Sequence, residues 1–128
     1  MGDSLLTELS FEEYISKSLV PSTVIRLPAD ITKQHSEMLL VIVSGPPNMA
    51  YFRINLDLPD SIKEDPSRRT RQVAVCPDDL HFLLRKAWID CCELIREPSH
   101  AELRSFLISH PDCVVGNFRK KVMLRLKI

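Results

Sequence analysis

The 128-residue sequence predicts an α+β fold in a single domain, residues 1–128. Three observations predict it. Short β-rich runs near 23–27, 38–44, 50–57 and 71–76 are separated by turn residues at spacings that helices do not satisfy. Two Ser/Glu pairs, Ser10 with Glu13 and Ser99 with Glu102, have capping-box spacing in front of apolar-periodic segments. The composition, 45% hydrophobic and 27% charged, is that of a globular chain able to bury its own core without staples.

Residues 10–19 read as a helix with Phe11, Tyr14, Ile15 and Leu19 on one face, closed by Pro21. The run 23–27 is a strand stopped by Pro28, and the polar stretch 29–37, carrying Lys33, Gln34 and His35, reads as a loop. Residues 38–44 are a strand buried on both faces, ended by Gly45-Pro46-Pro47-Asn48. The next strand puts Phe52, Ile54 and Leu56 on one face and Tyr51, Arg53 and Asn55 on the other. The short turn between these two strands pairs them antiparallel.

The stretch 59–70 reads as a loop with mixed charges and the cluster Arg68-Arg69-Thr70-Arg71; Asp57 and Asp60, around Pro59, are turn residues. A fourth strand over 71–76 turns Val73 and Val75 inward. Residues 77–96 support two readings. Pro77-Asp78-Asp79 is a good helix start, and Leu80, Leu83, Leu84, Trp88, Cys91 and Cys92 recur at helical spacing, so periodicity favours one long helix. Residues 87–92 read equally as a strand. The Ser99 helix buries Leu103, Phe106 and Leu107 and stops before Pro111. The segment 117–128 fits a strand, with Val122, Leu124, Leu126 and Ile128 alternating. It fits a helix as well, capped by Asn117, with Phe118, Val122 and Leu126 every fourth residue.

Several functions are disfavoured at this level. Seventeen basic and seventeen acidic residues cancel, which argues against a chain whose main task is coating nucleic acid while leaving room for a local patch. The N-terminus lacks the basic start and apolar run of a signal peptide, and Leu6 stands where myristoylation expects Ser or Thr; a cytoplasmic protein is expected. The longest apolar run, 38–43, is too short to span a membrane. Cys76, Cys91, Cys92 and Cys113 form no CxxC pair, and His100 and His110 with Cys113 match no zinc spacing, so four free thiols, no metal and no cofactor are expected. Trp88, a lone Trp among Leu and Ile, reads as core.

The order of features resembles the PemK/MazF/CcdB-like toxin superfamily over about residues 20–128. The strings that carry it are Val20-Pro21-Ser22-Thr23-Val24-Ile25-Arg26-Leu27, then Lys33-Gln34-His35 leading into Leu39-Leu40-Val41-Ile42-Val43-Ser44. Tyr51-Phe52-Arg53-Ile54-Asn55-Leu56, the segment from Phe82 to Cys91, and Gly116-Asn117-Phe118 complete it. The resemblance implies a small SH3-like antiparallel β-barrel with an N-terminal helix, here an extension over 1–19, and one or two C-terminal helices. It also makes 87–94 a barrel strand and 118–127 a helix. Many members cleave RNA, and related toxins pair, so a homodimer, single-stranded RNA and an antitoxin or other protein partner are expected.

RNA-cleaving members carry an Arg in the loop before the second strand and a Thr or Ser near the end of the third. Here the loop offers Lys33 and His35, and Asn55 stands where the hydroxyl is expected. Attack by a 2′-hydroxyl needs a base, an acid and a cation for the phosphate charge. His35, with an ordinary pKa of about 6.5, supplies the base or acid, and Asn55 positions. On this resemblance Lys33, Arg53, Arg68 and Arg69 are expected to hold RNA phosphate. The expected groove is lined by the 29–37 loop, the end of the third strand and the 58–70 loop. A catalytically silent relative that binds a partner segment, and an unrelated α+β adaptor, are the alternatives.

Overall fold

The computed structural model describes residues 12–32 and 36–126. Ser10, Phe11, Lys33, Gln34 and His35 therefore lie outside the described residues. A helix α1 over 12–18 leads into β1 (Thr23–Leu27), a helical turn α2 (Ala29–Thr32), β2 (Met38–Ser44) and β3 (Ala50–Asn55). Two more turns of helix, α3 (Asp60–Lys63) and α4 (Pro66–Arg69), precede β4 (Gln72–Val75) and β5 (Ala87–Ile95). The chain ends with α5 (His100–Ser109), a 3₁₀ turn (Pro111–Cys113), β6 (Val114–Asn117) and α6 (Lys120–Met123).

The six strands form one antiparallel sheet in the order β4-β5-β3-β2-β1-β6, curled into a half-barrel, so the fold is α+β. The β2–β3 hairpin is closed by the Ser44 hydroxyl, which donates to the Asn48 carbonyl at 2.8 Å. Each strand offers alternate side chains to the two faces, and both faces carry a core. Val24, Val41, Phe52, Val73 and Ile89 form the inner cluster with Leu80, Leu83, Phe118, Val122 and Leu126. Ile25, Leu40, Ile42 and Tyr51 form the outer cluster with Ile15 and Leu19 of the N-terminal segment and Leu103 and Leu107 of α5. Burying such a side chain is worth about 1.5–3 kcal/mol, which explains why β2 is apolar on both faces from Met38 to Val43.

The structure decides the open segments and corrects several expectations. Residues 87–95 are a strand, not part of a long helix, because β5 fills the slot between β3 and β4 and satisfies backbone groups on both neighbours. The predicted helix start at Pro77-Asp78-Asp79 is a turn instead. The Asp79 carboxylate accepts the Cys76 backbone N–H at 3.0 Å, a bond that pulls its pKa down despite opposing burial. The loops at 29–37 and 59–70 contain α2, α3 and α4; Asp65 caps α4 by accepting from the backbone N–H groups of Ser67 and Arg68, with Pro66 in the first turn.

The Ser99/Glu102 capping box is present, at 3.3 and 3.2 Å. At the C-terminus Phe118, Val122 and Leu126 are buried while Leu124 is 75% exposed, so the strand pattern fails, but the helix is the single turn α6 and not the 118–127 helix expected. Asn117 ends β6 rather than capping a helix, and its amide donates to Thr23 Oγ1 at 3.0 Å. No helix among the described residues is long and apolar enough to cross a membrane.

Candidate functional site

The two helices on the outer face, α1 and α5, share their core with β1, β2, the start of β3 and the ends of β5 and β6 at Ile95 and Val114. Past Tyr51 that face continues as Arg53 and Asn55 on β3, Trp88, Asp90 and Cys92 on β5, and Gln72 and Ala74 on β4. All seven are half-buried, none belongs to either apolar cluster, and four, Arg53, Asn55, Asp90 and Gln72, are polar or charged. Trp88 is thus not a core residue, contrary to its sequence reading. Cover on this half of the face comes from the short α3 and α4, not from a packed helix.

A groove of about 500 Å³ opens here. Its floor is Arg53 and Asn55; one wall is Pro59, Ser61, Ile62 and Arg68 from the α3–α4 region. The other wall is the end of β5 and the residues after it, from Asp90 to Arg96 and Glu97. That wall exists because the β3–β5 register breaks. Arg53 faces Asp90 and Tyr51 faces Ile95, so β5 carries extra residues that bulge away from β3. An adjoining cavity of about 360 Å³ shares Met38, Arg53 and Asn55, is lined by Leu39 and Ile54, and has Leu56 and Phe82 on its rim. Beside it Arg26 pairs with Glu37 at 3.1 Å.

One row across the sheet holds Gln72, Asp90 and Arg53 side by side. The Gln72 amide donates to Asp90 at 2.9 Å and to the Arg68 carbonyl at 3.2 Å, and the Cys92 backbone N–H donates to Asp90 at 2.9 Å. Burial pushes the Asp90 pKa up, but the Cys92 N–H, the Gln72 amide and the Arg68 charge outweigh it and hold the pKa below the ordinary carboxylate value. Burial and the neighbouring Asp90 carboxylate push the Cys92 thiol up, which makes it a poor nucleophile at neutral pH. The Gln72 Oε1 atom is buried and accepts no hydrogen bond among the described residues.

Arg53 and Arg96 form no ion pair with the described residues, and the groove they line also carries the carboxylates of Asp90, Glu93 and Glu97. The structure brings Arg53, Asn55 and Arg68 together. It does not place Arg69 in the groove; its guanidinium donates to the Lys63 carbonyl at 3.2 Å, closing the α3–α4 turn. Lys33 and His35 lie outside the described residues, though Glu37 and Met38, which follow them closely, line the adjoining cavity. Asp90, Glu93 and Arg96 are site residues that the sequence reading missed. Alternation along 87–95 would have put Asp90 on the Arg53 face, had that segment been read as a strand. No group of three His, Cys, Asp or Glu side chains able to hold a metal occurs among the described residues, and all four cysteines are free.

Compared with known proteins, the chain has no significant match to a protein-family model, a curated protein or a solved structure.

Proposed function

We propose that this chain is a toxin-like protein with an SH3-like small barrel, acting in the cytoplasm as a homodimer, whose groove takes single-stranded RNA. The observation that carries the reading is Arg53: a guanidinium on a strand, half-buried, lining both cavities and without an ion-pair partner among the described residues. Such a group holds phosphate through a rigid fork of donors. Arg68 and Arg96 on opposite walls supply further cations among the groove's carboxylates, and Asn55 beside Arg53 orients a sugar or phosphate oxygen. In cleavage, a base removes the 2′-hydroxyl proton, the oxygen attacks phosphorus, and an acid protonates the departing 5′-oxygen. His35 takes one of these two proton transfers and solvent water the other. Asp90, whose carboxylate is already occupied by Gln72 and Cys92, does not serve as the acid near neutral pH.

The test is a labelled, structureless RNA followed by anisotropy and gel. Arg53→Ala should weaken binding and lower the salt slope by roughly 0.7, the value for one lost phosphate contact on a single strand. His35→Ala should abolish cleavage and leave binding nearly intact. RNA binding that is absent at low salt, or indifferent to Arg53, rejects the reading.

A second reading, a non-catalytic module that holds a partner segment such as an antitoxin, is favoured by Leu56 and Phe82. Their side chains are 46% and 38% exposed on the rim of the adjoining cavity. In that case affinity would depend on Leu56 and Arg68 and be indifferent to His35.

A further inference from the structure

The RNA reading leaves one prominent residue on this face unused. Trp88 is the chain's single tryptophan, and it lies in neither apolar cluster although its strand neighbours Ala87 and Ile89 lie in the inner one. Its cross-strand neighbours on the same face are Asn55 on β3 and Ala74 on β4. Both are small beside an indole, and Trp88 stays half-buried, beside the two cavities rather than in their lining. The ammonium of Lys86 stands 5.7 Å from the ring centroid, which keeps a cation at the aromatic face. Arg53 is the diagonal neighbour of Trp88 across the β3–β5 pair, a separation of about 7–8 Å between such positions. A phosphate contact and an aromatic surface are therefore set side by side on rigid strands, within the span of one nucleotide.

We infer that Trp88 is the platform on which one base of the bound single-stranded RNA stacks while Arg53 holds a phosphate of the same segment. The inference rests on the RNA reading of the groove and adds to it the contact that tells a nucleic acid from any other polyanion. Every base has a π-face, so stacking is tolerant of sequence. The site would prefer base-bearing strands without demanding a particular base. Lys86, already at the ring, would meet the next phosphate.

The single tryptophan makes the test direct, because the fluorescence of the full chain is that of Trp88. Wild-type protein is titrated with an oligouridylate octamer and with an abasic sugar–phosphate octamer of equal charge, following Trp88 emission, with anisotropy of labelled octamers as the binding readout. The expected result is quenching by the base-bearing strand and none by the abasic strand. Trp88→Ala should bind the oligouridylate about tenfold more weakly, and Trp88→Phe should stay within about threefold of wild type, as loss and retention of stacking require. Equal emission changes with both strands, or unaltered affinity in Trp88→Ala, overturn the assignment. Where Trp88→Ala does not fold, the wild-type emission comparison and Trp88→Phe decide. If wild type binds no octamer, the RNA reading fails and this assignment with it. If binding depends on Arg53 but emission is unmoved, the assignment alone fails. Quenching by an acidic peptide but not by RNA transfers the platform to a protein partner and overturns it too.

Discussion

The guanidinium of Arg125 donates to the carbonyl oxygen of Ala74 across 3.0 Å. Ala74 lies in β4, one edge of the sheet, whereas Arg125 follows β6 and α6 at the other edge. Leu80, in the connection leaving β4, lies so close to Gly116 of β6 that a Cβ there would sit 2.7 Å from Leu80 Cδ1. The half-barrel is thus drawn together by a side-chain clasp and a crossing loop, without a hydrogen-bonded seam between β4 and β6.

Arg125→Ala should leave the core intact and free an acceptor on the β4 edge. The expected cost is about 0.5–1.5 kcal/mol in urea unfolding, with faster amide exchange in residues 72–75. Exposed strand edges recruit other chains, so light scattering should also report more association than in wild type. Unchanged exchange at β4 would show that the clasp does not restrain the edge.

Gly116 has φ +152°, a region that side-chain-bearing residues rarely adopt. Gly116→Ala should destabilise by about 1–3 kcal/mol from backbone strain and the Leu80 clash together. In a Leu80→Ala background the same change should cost less, the remainder belonging to the backbone. Equal costs in both backgrounds would mean that Leu80 yields freely.

Asp90 has a depressed pKa in the folded state. The stability it contributes is therefore complete above the ordinary carboxylate value of about 3.9 and is lost as pH falls through the lower folded value. Urea unfolding at pH 7 and pH 3 should show a smaller acid loss for Asp90→Asn than for wild type. Identical losses would remove Asp90 from the acid response.

Ser99→Ala removes one half of the capping box of α5. A loss of about 1 kcal/mol is expected, with exchange rising first at residues 100–103 and little change in the sheet. Loss of the whole outer cluster at once would instead make α5 a cooperative part of that core.

What was legible in the sequence was local. Alternation along β3 puts Arg53 and Asn55 on one face, and Ser99 with Glu102 marks a helix start whatever surrounds it. The state of 87–95 was not legible, because its apolar spacing suits a helix and only the flanking β3 and β4 make it a strand. Asp90 went unnoticed for the same reason. Trp88 was read as core because hydrophobicity says that a ring gains from cover. It does not say that the outer cluster reaches β5 only at its end, at Ile95. Arg125 with Ala74 and Leu80 with Gly116 are joined by tertiary geometry alone.

The pairing of β1 with β6 has a consequence for how the chain comes into being. Thr23 and Asn117, bonded through their side chains, stand 94 residues apart. At a synthesis rate of about 5–20 residues per second, β1 waits roughly 5–20 s for its second neighbour to be made. During that interval the nascent sheet ends at β1, with Val24 and Ile25 on an unpaired edge. Slower codons between β2 and β6 would lengthen that exposure, and a chaperone that grips an apolar strand would find its target at Thr23–Leu27.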